Sequence, residues 1–287
     1  MDREISDIIA NVNNATVNVN IKDDENFITY YKNYGENSPS CFQTLRFMQK
    51  IIAEFMGTYL LMFVGFAAIV VNKEMDNVLT PPGVAVLWGL DVMVMIYTVG
   101  HVSGAHFNPA VTIAFATCKR FEWKQVVPYI LVQVVASTLA SGTVQMMFGA
   151  KGEENVFVGT LPSGSNIQSL VLEFIITFYL MFAVSGVSTD DLAIGELGGL
   201  ALGALVTMNS LFAGPISGAS MNPARSLGPA IVCNYYKGIW IYIVGPIGGA
   251  VAGAWFYNII RLTESPFGEI IDLKKFLQRR HKSAPNK

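Results

Sequence analysis

Arg225 stands three residues after Asn222, in a neighbourhood that is otherwise apolar or small and neutral. If Asn222 opens a helix, the guanidinium lies one turn on, on the same face as that cap. An arginine cannot shed its charge and brings five fixed donors. Inside a bilayer it costs on the order of 3 kcal/mol by insertion scales, so its place there points to function. The tripeptide Asn222-Pro223-Ala224 has a twin, Asn108-Pro109-Ala110, and the match extends to ten residues: "SGAHFNPAVT" (103–112) and "SGASMNPARS" (217–226), 114 positions apart. Asn is a favoured helix N-cap, and Pro suits the first helical position, where its missing N–H is not needed. Each copy therefore predicts a helix start after Gly-rich irregular backbone at 104–107 and 218–221. The chemistry this offers is hydrogen bonding to a passing oxygen. The amide N–H₂ groups of Asn108 and Asn222 are expected to stand free to donate, and the irregular carbonyls accept. Helix N-termini carry about half a positive charge each and disfavour a cation. Such a lining suits water and small uncharged hydroxylated solutes, and opposes ions and proton relay.

The elements that must position these groups are membrane spans. The chain has 287 residues, 52% of them hydrophobic and only 14% charged. Six stretches are long and apolar enough to cross a bilayer, which takes about 20 residues: 49–71, 83–100, 125–148, 168–187, 194–213 and 238–260. Two shorter semi-apolar segments, 108–118 and 222–232, follow spans two and five. "AEFMGTYLLMF" (53–63) resembles "LEFIITFYLMF" (172–182), aligning Glu54 with Glu173 and Thr58 with Thr177. Each half reads as span, span, short segment, span. Three crossings are an odd number, so the second half enters from the opposite face as an inverted repeat. Unpaired backbone in hydrocarbon costs several kcal/mol per group and is tolerated only in protein or against water. The two short helices therefore meet near the midplane and line a pore. The fold class is an all-α membrane protein with six transmembrane helices and two half-helices.

Loop charge sets the orientation. Arg46, Lys50, Lys119, Arg120 and Lys124 join a basic C-terminal tail on one side, against Lys73, Lys151 and Lys237 on the other. Both termini are thus expected in the cytosol. The expected domains are a largely disordered tail at 1–46, a channel domain at 47–262 with repeats near 47–150 and 165–262, and a basic tail at 263–287. A net charge of −2 argues against nucleic-acid partners. Three widely spaced Cys and three His suggest neither a disulfide framework nor a metal site. With no Ser/His/Asp set and no phosphate-cradling loop, neither enzyme activity nor a cofactor is expected.

The paired motifs, six spans and two half-helices resemble the major intrinsic proteins, the aquaporin and glycerol-channel family, over about 47–262. "GHVSGAHFNPAVTIAFA" and "GPISGASMNPARSLGPA" are most similar to the nodulin-26-like intrinsic proteins of plants. The resemblance implies a passive channel, with Arg225 at its narrowest constriction and Trp88, Ser210 and Ala219 as the other filter positions. Trp, Ala and Arg together make an amphipathic slot of the glycerol-permeable kind. Ser210 departs from the usual Val or Ile, which opens the choice among water, glycerol, urea and hydroxylated metalloids such as boric acid or arsenite. A register error of one would put Asn209 or Leu211 there instead. The resemblance also implies a homotetramer, and loop support by Glu54 and Glu173 through backbone N–H groups.

Other residues are less decisive. Asp91 lies in mid-span, one turn from Trp88, where a neighbouring subunit or a polar network behind the pore are the readings open to it. His106 is read as packing its ring and lining the pore with its carbonyl, with a proton sensor as the alternative. Ser283 follows Arg279-Arg280-His281-Lys282 and is a candidate kinase site, or part of a solvated basic tail near lipid headgroups. The sequon at Asn14 falls in a tail expected in the cytosol, away from the glycosylation machinery. Two competing classes remain: an energised transporter, which would need an ion-coupling carboxylate in the pore, and a membrane structural or adhesion protein. The plasma membrane or an internal membrane is the expected location.

Overall fold

The computed structural model describes residues 40–148, 156–190 and 195–261. The chain divides into a unit of residues 1–48 and a unit of residues 49–287. Of the first, the described part is Ser40–Met48, the opening turns of helix α1, Ser40–Glu74. The second unit holds the rest of α1 and α2 (Thr80–Ser103), α3 (Pro109–Thr117), α4 (Trp123–Phe148), α5 (Asn166–Thr189), α6 (Gly198–Ser217), α7 (Pro223–Cys233) and α8 (Ile241–Ile260). Among the described residues, six of these helices are long and apolar enough to cross a membrane. The two others, α3 and α7, have 9 and 11 residues and cannot.

The helices begin and end where local chemistry requires. Pro stands in the first turn of α2, and Ser165 caps α5 by accepting from Gln168 N at 3.1 Å. Both α2 and α6 end on a glycine with positive φ, Gly104 at 91° and Gly218 at 84°, whose N–H closes on the carbonyl four residues back. Those two C-caps turn the chain sharply into the irregular segments. The fifth span runs four residues further than the hydropathy boundary at 213, because Pro215 sits inside α6 rather than ending it. Helix α1 starts at Ser40, ahead of the expected boundary at 47.

Packing makes the repeat visible. Helix α2 crosses α6 at Gly89 and Gly203, whose backbones approach so closely that a Cβ on Gly203 would stand 2.6 Å from Gly89 O. Those glycines occupy equivalent repeat positions, so they mark the pseudo-two-fold axis. Helix α7 rests mainly on α4, and α3 mainly on α8. Each half-helix is therefore cradled by the last span of the opposite half, and neither half can be assembled alone around its own short helix.

Candidate functional site

The site is built where the N-termini of α3 and α7 meet. Asn108 (φ −154°) and Asn222 (φ −149°) are both extended N-caps, and each Oδ1 accepts from the N–H two residues on, Ala110 N and Ala224 N, at 2.9 Å. Their amide nitrogens reach across the axis. Asn108 Nδ2 donates to Met221 O at 2.7 Å, and Asn222 Nδ2 donates to Phe107 O at 2.8 Å. The expectation that these amides stand free is thus corrected: one N–H of each is committed to the opposite segment. Each amide retains a second N–H, since Asn carries two donors.

The irregular segments depend on residues held in the left-handed region. Ala105 (φ 50°), Phe107 (φ 50°), Ala219 (φ 44°) and Met221 (φ 53°) all lie there, a conformation that costs a non-glycine residue about 1–2 kcal/mol. Two buried carboxylates hold it. Glu54 accepts from Ser103 Oγ, His106 N and Phe107 N at 2.8 Å each, and from Gln133 Nε2 at 2.9 Å. Glu173 accepts from Ser217 Oγ at 2.6 Å and from Ser220 N and Met221 N at 2.8 Å. The carbonyls that end α2 and α6 are capped in parallel: Tyr129 donates to Ser103 O at 2.9 Å, and Tyr242 donates to Ser217 O at 2.7 Å. Both acids were legible from the repeat. Gln133 and the tyrosine pair were not singled out, although Tyr129 and Tyr242 stand nearly the same distance apart as the two Asn.

A cavity of about 1120 Å³ runs past this centre, and its wall includes Asn108, Asn222, Trp88, Ser210, Ala219 and Arg225. The four residues that the resemblance implies for a filter all line one space. The Arg225 Cζ lies 4.6 Å from the centroid of the Trp88 ring, and its Nη1 has no hydrogen-bond partner. Cation–π contact supports the guanidinium there. The Trp88 ring is set by an edge contact with Phe66, centroids 6.0 Å apart. On α6, Leu211 is 44% exposed, and Asn209 is fully buried, donating to Ile176 O at 3.0 Å and to Met221 Sδ at 3.2 Å. Ser210 lies between them on the cavity wall, at the same face as Leu202 and Val206.

His106 packs as a structural ring, its centroid 5.0 Å from Phe115, 4.7 Å from Phe121 and 5.3 Å from Tyr129. Its Nδ1 is 3.1 Å from Thr112 Oγ1. That hydroxyl already donates to Asn108 O at 2.9 Å, so the ring nitrogen is the donor. Asp91 is buried, and its Oδ2 has no hydrogen-bond partner. Arg120, counted in the sequence only as a loop cation, lies on the cavity wall; it donates to Thr189 O at 3.2 Å and Asn258 Oδ1 at 3.4 Å, tying the α3–α4 link to α5 and α8. Among the described residues no His, Cys, Asp or Glu cluster could hold a metal. Ser283 and Asn14 lie outside the described residues.

The major intrinsic protein family pattern matches residues 41–257. The chain belongs to the major intrinsic protein family. Within it, the chain is of the nodulin-26-like type. It is 62% identical over 232 residues to Aquaporin NIP1-1 of Oryza sativa subsp. japonica, covering 81% of each chain. It is 60% identical over 237 residues to Aquaporin NIP1-2 of Arabidopsis thaliana, again 81% of each. To Nodulin-26 of Glycine max it is 52% identical over 234 residues, covering 82% of this chain and 86% of that one. The major intrinsic protein fold is shared with the X-ray structure of the aquaglyceroporin from Plasmodium falciparum, at a TM-score of 0.69 and 24% identity, over 75% of this chain and 96% of that one.

Proposed function

We propose that the chain is a passive channel for water and small uncharged solutes such as glycerol, and not an enzyme. The observation that carries this reading is the convergence of two cross-braced half-helix N-termini and Arg225 on the wall of one cavity. Positive helix ends and a guanidinium make that place hostile to a cation or a relayed proton. The second N–H of each Asn remains a donor for a passing hydroxyl. Trp88 and Ala219 form the apolar side of the constriction and Arg225 its donor side, so a molecule with carbon on one face and hydroxyls on the other fits it. Ser210 supports a second reading: its small hydroxyl widens and polarises the wall, which favours hydroxylated metalloids or urea.

The working assembly is a homotetramer with one pore in each subunit, embedded in a bilayer with both termini cytosolic. Apolar side chains such as Leu131, Val135 and Leu139 on the outer face of α4 are exposed in the single chain, ready for lipid or for another copy. The channel domain covers 47–262 between cytosolic tails, in the plasma membrane or an internal one, and a kinase acts on Ser283. Stopped-flow light scattering from vesicles holding the purified protein tests the central reading. Water, glycerol, urea and boric acid are tried in turn, and at least one must enter faster than into empty vesicles. No flux above that background sinks the channel reading and favours the structural or adhesion class. Flux that stops without a proton gradient favours an energised transporter.

A further inference from the structure

Asn209 does not line the cavity, yet it is fully buried on the span that does, and its position is hard to explain by packing alone. Both of its donors are used, one on the Ile176 carbonyl of α5 and one on the Met221 sulfur. Its Oδ1 has no partner, so the fold tolerates a buried orphan acceptor to keep this amide. The equivalent position in the first half is Met95, buried and apolar, so the fold itself does not require a polar group there. What differs is the residue it must hold. Phe107 is a rigid ring, and it sits over Gly57, where a Cβ would overlap it. Met221 is an unbranched thioether with three free torsions, and the place equivalent to Gly57 is filled by Ile176. Met221 is buried, and the Asn209 amide is the donor its sulfur receives.

We infer that Asn209 is a positioning residue for solute selectivity: by fixing the Met221 side chain, it fixes the Met221 carbonyl that receives Asn108 and holds α6 in the rotation that turns Ser210 to the cavity. The chain of contacts is short. Asn209 Nδ2 holds Met221 Sδ, Glu173 holds Met221 N, and Met221 O takes Asn108 Nδ2. A solute that needs several oriented acceptors and donors at once depends on this alignment more than water does. This inference rests on the channel reading above.

The test compares wild type with Asn209→Leu, Met221→Leu and the double variant in purified, reconstituted form. Leu keeps volume in both places and removes the donor or the sulfur acceptor. Water permeability is measured with that of whichever of glycerol, urea and boric acid enters wild-type vesicles fastest. The expected result is a fall in the solute-to-water ratio on the order of fivefold in each single variant, the factor a neutral hydrogen bond is worth. The double variant falls no further, because both changes break one link. A merely structural role lowers the yield or thermal stability of folded protein, or both permeabilities equally, and leaves the ratio alone; that result overturns the proposal. Should Asn209→Leu fail to fold, Met221→Leu with an unchanged ratio overturns it equally. Wild-type vesicles as slow as empty ones for water and every solute overturn the channel reading itself and take this inference with it.

Discussion

Phe107 and Met221 hold the same place in two inverted halves, and their carbonyls do the same work for Asn222 and Asn108. The means differ throughout. In the first half an aromatic ring lies over a glycine on α1, and the carboxylate beneath it is further fixed by Gln133, which also donates to Thr112 at 3.1 Å. In the second, a thioether is hooked by an amide, the place of Gln133 is taken by Pro246, and the place of Thr112 by Ser226. Ser226 joins a chain of hydroxyls, 2.6 Å from Ser220 Oγ and 2.6 Å from Thr160 Oγ1. One more exchange separates them: Val111 in the first half stands where Arg225 stands in the second. The backbone scaffold is duplicated, whereas, of these two positions, the second copy's alone carries the guanidinium on the cavity wall. A repeat can thus keep its geometry under common constraints while its side chains divide the labour.

The comparison breaks most severely at the carboxylates. Glu54→Ala strands four donors and Glu173→Ala three, at about 1–3 kcal/mol for each buried group left unpaired. Both variants lose several kcal/mol in thermal unfolding followed by intrinsic fluorescence, the first more than the second; equal losses would mean that the Gln133 contact adds nothing. Next comes Arg225→Val, which makes the second half like the first. A like charge 4 Å away is disfavoured by about 4 kcal/mol at an effective dielectric of 20, so its removal raises cation leak by tenfold or more in a planar-bilayer recording. Unchanged leak would place the barrier at the helix ends alone.

Gly57→Ala sharpens the contrast in packing. The new methyl meets the Phe107 ring, an overpacking worth about 1–3 kcal/mol, and Phe107→Met added to it restores much of the loss because the thioether can bend away. Stability assays on the single and double variants check this, and a double variant worse than either single would contradict it. The smallest effect belongs to Ser210→Val. It adds one methyl's worth of wall and removes a hydroxyl, changing the glycerol-to-boric-acid ratio about threefold, in line with roughly 0.6 kcal/mol of differential fit. A ratio that stays fixed would make the serine incidental.

Hydropathy and two tripeptides made the architecture legible. Apolar runs of about 20 residues fit spans, and Asn-Pro-Ala followed by apolar residues fits a helix start. Span ends were less legible: hydropathy ends the fifth span at 213, whereas α6 runs on to Ser217 with Pro215 inside it. Arg225 stood out as a charge among apolar residues, and Trp88, Ala219 and Ser210 were reached only through the family resemblance; all four line one cavity. Asn209, Gln133 and Tyr129 were not found. Their worth lies in partners on other helices or in the irregular segment, at separations of 12 to 79 residues, and no local pattern carries such pairings. The amides of Asn108 and Asn222 were judged free for the same reason: their acceptors lie on the far half.

That crossed bracing has a consequence in time. The acceptor for Asn108 and the donor for Phe107 O both belong to residues about 114 positions downstream. At about 5–20 residues per second of ribosomal synthesis, the first half waits roughly 6–23 s with its left-handed turn unmatched. The span that cradles α3, the last of the chain, emerges later still. The first short helix therefore has no finished berth while it is being made. Biogenesis must either shelter that segment or leave it outside the bilayer until the closing half arrives, so that the midplane is completed last and in a single step.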